Sequence, residues 1–143
     1  MTVRIVGYQA SHARDICYAN LVENSFFYSQ ADALVGQRHA YTVIYNNQPV
    51  ISTGICELWS GVGEAWMIAN KSISDRPLMF SRLIKTHLFR YMRNYDFRRV
   101  QANVRSDWSP AKRFARFCEM HEEGEMPGFG PEGGTYTRYA RVI

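Results

Sequence analysis

The sequence has few of the features that would place a protein outside the ordinary single-domain class. It has only three cysteines, and their odd number, wide separation and apolar neighbours favour reduced core thiols over a disulfide or zinc framework. Its four histidines show no metal-ligand spacing. No run of about 18 apolar residues occurs, and Met1 to Ala10 lacks the pattern of a secretion signal. We therefore expect a cytoplasmic protein with no metal and no membrane partner.

The composition is that of one globular domain spanning residues 1–143. Hydrophobic residues make up 46% and charged residues 21% of the chain, which excludes a disordered protein. The net charge of +4 is unevenly spread, because residues 1–75 carry four Lys or Arg against six Asp or Glu, whereas 76–143 carry thirteen against seven. The second half is thus expected to face anions, as a nucleic-acid surface, an anionic-cofactor site or simply solvated helices.

Hydrophobic patterning predicts an α/β domain of three layers, α-β-α, around a mixed sheet of about seven strands. Asn46 to Pro49 has the composition of a tight hairpin turn. The longest periodic segment carries apolar residues at i, i+3, i+4 and i+7, beginning at Phe80. The predicted strands are 3–8, 40–45, 50–58, 64–69, 100–104, 120–126 and 136–142, and the predicted helices are 11–24, 26–36, 77–95 and 106–118.

Three segments carry a resemblance to a known family. They are 58–66 (LWSGVGEAW), 98–105 (RRVQANVR) and 123–133 (EGEMPGFGPEG). Together with the long helix they are similar to GNAT-type N-acetyltransferases, and most like the acetyltransferase-like proteins of tailed bacteriophages and prophages. The resemblance covers residues 61–142, and the first 60 residues fit mainly in the order of their elements.

The resemblance implies that acetyl-CoA binds where two neighbouring parallel strands, 66–70 and 100–104, separate near Met67 and Ala102. Main-chain groups freed there need partners, and the amides of pantetheine can supply them. The pyrophosphate is then expected in the loop 71–76, beside the positive end of the long helix. The residues expected to hold the cofactor are Met67, Ile68, Ala69, Lys71, Ser72, Ser74, Arg76, Asn103, Lys112 and Arg113.

Three of these assignments have a structural alternative. Asn103 is expected either to hydrogen-bond the cofactor or to be a satisfied residue of the sheet. Lys112 and Arg113 are expected either to contact the adenosine 3′-phosphate or to lie on an exposed helix face. The loop 72–77 (SISDRP) has no glycine where the family usually has several. Its alternative is a helix start capped by Ser74.

Acetyl transfer to an amine also needs a proton acceptor and often a proton donor. Glu57 and Glu64 lie at ends of strands beside the expected acceptor cleft, and each is either the base or a solvated strand end. Ala115 stands where the family commonly has a tyrosine, which leaves Tyr136 and Tyr139 of the last strand as proton donors or as packing residues.

We therefore interpret the sequence as an acetyl-CoA-dependent N-acetyltransferase that transfers acetyl directly to an amine of a small molecule or protein. The alternative is a non-catalytic GNAT-like module, a phage structural or host-interaction protein in the host cytoplasm or the virion. A nucleic-acid-binding protein ranks third. An aromatic-rich surface leaves room for a homodimer. The cations of the third hypothesis are Arg82, Lys85, Arg90, Arg93, Arg98, Arg99 and Arg105.

Overall fold

The computed structural model describes residues 2–20 and 39–143, and of residues 17–20 only the main chain. This part of the chain forms seven strands and three α-helices, and the predicted helix 26–36 lies outside it. The elements are β1 (Val3–Gly7), α1 (Ala10–Asn20), β2 (Tyr41–Tyr45), β3 (Gln48–Trp59), β4 (Val62–Ala69), a 3₁₀ helix (Lys71–Asp75), α2 (Pro77–Asn94), β5 (Arg99–Arg105), α3 (Ser109–Phe117), β6 (His121–Met126) and β7 (Tyr136–Val142).

The strands form one sheet in the order β1-β2-β3-β4-β5-β7-β6. β4 and β5 are parallel, whereas β5 with β7, β6 with β7, β1 with β2 and β2 with β3 are antiparallel. The predicted mixed sheet of seven strands is therefore confirmed.

The turn between β2 and β3 is the hairpin that the sequence predicted. Asn46 and Asn47 both have positive φ, 50° and 66°, a conformation that asparagine tolerates because its short side chain hydrogen-bonds locally. The turn takes only these two residues, so β3 begins at Gln48 and includes Pro49. The predicted turn was longer at its C-terminal side.

Contacts divide the chain into two compact units, the first comprising Met1–Cys56 and Trp66–Pro77. Its small core joins Tyr8, Ala13 and Ile16 to Ile68 of β4. The ring of Trp66 meets that of Tyr8 edge to face, with centroids 5.7 Å apart. The C-terminal half of β4 is thus anchored by apolar packing on α1 and the residues before it.

His12 of α1 joins the helix start to the sheet within the same unit. Its Nδ1 accepts the Gln9 main-chain N–H at 3.1 Å and lies 2.8 Å from the Thr42 hydroxyl. That hydroxyl is also 2.9 Å from Ser52 Oγ. Burial lowers the pKa of His12, and Asp15 opposes this only in part. An Nδ1 that accepts a main-chain N–H belongs to a neutral imidazole.

The lowered pKa of His12 predicts a loss of stability in acid. The unfolded chain takes up a proton on His12 at a higher pH than the folded chain does, so the free energy of unfolding falls as the pH drops below about 6.5 and through the lowered folded pKa. The loss should be less than about 1 kcal/mol, because solvent screens a partly exposed ring. Urea unfolding between pH 7.5 and 5 measures it.

A matched pair of variants isolates the histidine. His12→Gln should flatten this part of the pH profile, whereas His121→Gln, at an exposed position on β6, should keep the wild-type slope. Equal slopes in the wild type and His12→Gln would contradict the assignment.

The second unit comprises Glu57–Ala65 and Leu78–Ile143. The buried residues of α2, Phe80, Ile84, Leu88 and Met92, recur every four positions, as its apolar stripe predicted. Tyr95, the last residue of that predicted stripe, lies beyond the helix and is 43% exposed. Each fully buried side chain of this size contributes roughly 1.5–3 kcal/mol of hydrophobic free energy.

Cys118, just after α3, is a core thiol, as the sequence predicted. It is buried, and desolvation raises its pKa to about 12, so it is unreactive at neutral pH. Cys56 is half-buried, and the side chain of Cys17 lies outside the described residues.

Candidate active site

Glu64 is the centre of a polar cluster on one face of the second unit's sheet. It lies on β4 opposite Gln101 of the parallel strand β5. Its Oε1 accepts hydrogen bonds of 3.0 Å from Gln101 Nε2 and 3.0 Å from Asn103 Nδ2. Arg138 Nη2 of β7 lies 3.8 Å from the same oxygen. Side chains from β5 and β7 therefore converge on one carboxylate oxygen of β4.

Both carboxamides are fixed in orientation by arginines. Arg99 donates to Gln101 Oε1 at 3.2 and 3.0 Å, and Arg138 Nε donates to Asn103 Oδ1 at 3.1 Å. Because a guanidinium only donates, each carboxamide must turn its oxygen to the arginine and its NH₂ to Glu64. This arrangement follows from strand alternation, since residues 101 and 103 point to the same face of β5.

The two oxygens of Glu64 therefore differ. Oε1 is held by the sheet, whereas Oε2 has no hydrogen-bond partner within residues 2–20 and 39–143. The side chain is 34% exposed. A half-buried carboxylate with one oxygen positioned by the protein and the other without a partner among the described residues can accept a proton or a hydrogen bond from a ligand.

The parallel pairing that positions Glu64 is short. β4 and β5 are paired from Val62↔Arg99 to Ala65↔Ala102. β4 then continues to Ala69, and its last four residues belong to the first unit. In that stretch Ile68 is buried in the core, whereas Met67 is 37% exposed. Ile68 can thus offer a ligand only its main chain.

The loop after β4 is a single turn of 3₁₀ helix. Asn70 caps it, because its Oδ1 accepts the Ser72 N–H at 2.8 Å. The Ile73 and Arg76 main-chain N–H groups also bond within the loop. The predicted alternative of a helix capped by Ser74 was wrong, since Ser74 lies inside the 3₁₀ helix and α2 begins at Pro77.

The loop therefore offers a ligand charged side chains more than free main-chain N–H groups. Lys71 and Arg76 are both exposed, and neither lies on an apolar face. Pro77 contributes no N–H at the first position of α2. A phosphate group here would be bound chiefly by the two cationic side chains, which replace the glycine-rich main chain of the usual pattern.

Comparison of the whole architecture with solved structures is decisive for the fold. Ard1 from Thermoplasma volcanium superposes with a TM-score of 0.80 over 100% of this chain and 99% of that one, at 16% identity. The chain has the GNAT fold. By sequence, no protein-family model and no curated protein matches it.

Two further GNAT-fold structures show the same coverage. The RimL ribosomal L7/L12 α-N-protein acetyltransferase, in complex with coenzyme A, matches 100% of this chain and 95% of its own, with a TM-score of 0.77 and 19% identity. A GNAT-family acetyltransferase from Bacillus anthracis matches 99% and 95%, with a TM-score of 0.74 and 14% identity. The similarity thus extends over the entire domain.

Within this fold, the two tyrosine candidates occupy different environments. Tyr136 is half-buried beside Phe129, with centroids 5.7 Å apart, and lies on the same face of β7 as Arg138. Burial and then the Glu132 carboxylate raise the pKa of Tyr136, which keeps the phenol protonated. Tyr139 is fully buried and its hydroxyl donates to Glu122 at 3.3 Å, so it is a packing residue.

The other candidates are spread over the domain. Ala115 is buried in α3, which also carries half-buried Lys112 and exposed Arg113. Glu57 lies on an exposed part of β3. Of the predicted site residues, the structure brings Glu64 and Asn103 into direct contact.

Sequence reasoning missed Gln101 and Arg138. Gln101 could have been identified from the sequence, because it and Asn103 are polar residues that alternate with Val100, Ala102 and Val104. Nothing in the sequence around Arg138 indicated a role, since only the pairing Asn103↔Arg138 places it beside Glu64.

Residues 2–20 and 39–143 contain no group of three or more His, Cys, Asp or Glu side chains arranged to bind a metal ion. None of their helices has the length and hydropathy needed to span a bilayer.

Proposed function

We propose that this protein is an acetyl-CoA-dependent N-acetyltransferase in which Glu64 is the base. The observation that carries the proposal is the carboxylate of Glu64, one oxygen of which is held by two carboxamides while the other has no hydrogen-bond partner among the described residues. Glu64 directly precedes Ala65, whose pairing with Ala102 is the last between β4 and β5. A base must be positioned and accessible, and Glu64 is both.

The residues that would hold acetyl-CoA fit its chemistry. The main chain of Met67 and Ile68 follows the last β5-paired residue of β4 and can pair with amides of the pantetheine arm. The resemblance assigns Lys71 and Arg76 to the pyrophosphate and Lys112 and Arg113 to the 3′-phosphate, where each would supply charge. Acetyl-CoA supplies a thioester whose C–S bond breaks as the amine forms a C–N bond, the sulfur leaving as a thiol once protonated.

The protein's own groups handle the protons. Glu64 Oε2 accepts a proton from the acceptor ammonium, which frees the nitrogen lone pair for attack. Tyr136, whose raised pKa keeps it protonated, is the candidate donor to the leaving sulfur, and the second proton that the nitrogen loses as the amide forms restores the Tyr136 phenol through solvent. Gln101 and Asn103 keep Glu64 in one rotamer throughout, so little reorganisation accompanies the proton transfer.

Calorimetric titration with acetyl-CoA, followed by a thiol-release assay with a panel of primary amines, tests the proposal. We expect a dissociation constant of roughly micromolar order and turnover of at least one amine. 3′-Dephospho-CoA should bind more weakly if Lys112 and Arg113 contact the 3′-phosphate. Absence of acetyl-CoA binding would overturn the proposal.

That negative result would favour the second candidate, a non-catalytic GNAT-like module such as a phage structural or host-interaction protein. The specific observation in its favour is the 3₁₀ loop, whose Ser72, Ile73 and Arg76 N–H groups bond internally. Such a loop offers fewer donors to a phosphate than a glycine-rich one does.

The nucleic-acid hypothesis ranks below both. Arg99 and Arg105 pair with Glu123 and Asp107, Lys85 pairs with Glu119 at 3.3 Å, and Arg98 donates to the Ser60 carbonyl. These contacts use donors that phosphate binding would need. Duplex binding that weakens steeply with added salt would restore this hypothesis.

A further inference from the structure

The guanidinium of Arg138 forms a long ion pair with Glu64 and keeps N–H donors that no described residue uses. Arg138 uses Nε to bond Asn103, and its Nη2 is 3.8 Å from Glu64 Oε1, longer than a strong charge-assisted hydrogen bond. Its Nη1 has no hydrogen-bond partner among the described residues. The side chains of Arg138 and Glu64 are 32% and 34% exposed. A carboxylate acceptor and a guanidinium donor therefore lie side by side, each with capacity left for a ligand.

The neighbouring arginines on this face differ in this respect. Arg99 makes a two-pronged pair with Glu123, at 2.6 and 2.8 Å, in addition to its bonds to Gln101. Arg105 donates to Asp107 at 3.2 Å. Arg138 is consequently the arginine of this cluster best able to bind an external anion.

We propose that the acceptor is a free α-amino acid, its amino nitrogen on Glu64 Oε2 and its carboxylate on Arg138. The inference rests on the proposed acetyltransferase function and adds the substrate class. In an α-amino acid the two charged groups are one carbon apart, which matches the juxtaposition of Glu64 and Arg138. A polyamine would bring a second cation against Arg138, and the N-terminal residue of a peptide would offer it no carboxylate, because its carboxyl group is in a peptide bond.

Matched substrates test the inference. Each of a set of L-amino acids is compared with its primary amide and its decarboxylated amine, for example leucine, leucinamide and 3-methylbutylamine, with kcat/KM read from thiol release. We expect roughly a 10- to 100-fold preference for the amino acid, the usual size of a hydrogen bond to a charged group. Equal rates, or faster acetylation of the amines, would overturn the inference and leave the proposed function intact.

Two other outcomes are informative. If acetyl-CoA binds but no amino acid in the set is acetylated, the inference is wrong while cofactor binding stands. If acetyl-CoA does not bind, the proposed function fails, and the inference fails with it. Calorimetry and the substrate series therefore separate the two failures.

Variants of Arg138 test its role directly. Arg138→Gln keeps an N–H for Asn103 and removes the charge, so it should raise KM for the amino acid about 10- to 100-fold more than it raises KM for the decarboxylated amine. Arg138→Lys should recover part of the preference, because it restores the charge but not the fork. Arg4→Gln, an exposed arginine on β1, is the matched control and should leave both KM values unchanged.

A preference that survives Arg138→Gln would overturn the assignment of Arg138. If Arg138→Gln fails to fold, the Arg138→Lys variant tests the assignment instead. An unaltered preference in that variant would show that the substrate carboxylate does not bind the guanidinium. Thermal unfolding and acetyl-CoA titration on each variant verify the fold.

Discussion

Replacing Glu64 by glutamine is expected to lower kcat/KM for amine acetylation by about 10²- to 10⁴-fold. The amide oxygen can still accept the bonds from Gln101 and Asn103, so the local packing is kept. What is lost is the second carboxylate oxygen, the only part of the side chain assigned to take a proton. Steady-state kinetics over a range of amine concentrations measures the loss, and calorimetry should show unchanged acetyl-CoA affinity.

Two further Glu→Gln variants make this result specific. Glu125, exposed on β6, is the matched control, and its variant should keep kcat/KM within a few-fold of wild type. Glu57→Gln compares the other predicted base. A larger loss at position 57 than at position 64 would move the base to β3.

Truncating Ile68 to alanine is expected to cost about 2–5 kcal/mol of folding free energy. The side chain is 1% exposed and packs with Tyr8, Ala13 and Ile16, so its removal leaves a cavity in a small core. It also anchors the part of β4 that continues past the β5-paired residues. We therefore expect weaker acetyl-CoA binding as well as a lower urea midpoint, measured by unfolding curves and calorimetry.

Ile5→Ala is the matched control for this variant. Ile5 lies on β1 and is 38% exposed, so its truncation should cost no more than roughly 0.5 kcal/mol. A loss at Ile68 no larger than that at Ile5 would show that the packing of Ile68 within the first unit contributes little.

The order of strands and helices was largely predictable because it depends on local periodicity. Alternation and turn residues predicted β2, β3 and a turn beginning at Asn46, and apolar residues at i, i+3, i+4 and i+7 predicted α2. Errors in the described residues were local, such as the Ser74 cap offered as an alternative for the loop, where the structure has a 3₁₀ helix capped by Asn70. The Asn70 cap and the 3₁₀ helix formed there because of the loop geometry, despite the preference of serine for helix N-caps.

The candidate site was predicted only in part. Glu64 and Asn103 were identified from polar residues at strand positions, but their contact depends on the β4–β5 register. Arg138 is 74 positions away from Glu64 along the chain, and its proximity comes from the pairing of β7 with β5. No local pattern records such a register, because it is selected by packing across the sheet.

The amino-acid order alone thus predicted the order of the described helices and strands, the mixed sheet and two glutamates, Glu57 and Glu64, as candidate bases. Tertiary structure decided which oxygen of Glu64 has no partner among the described residues and which arginine lies beside it. The physical reason is that helix and strand periodicity depends on neighbours in sequence, whereas hydrogen bonds between strands join residues that the sequence keeps far apart.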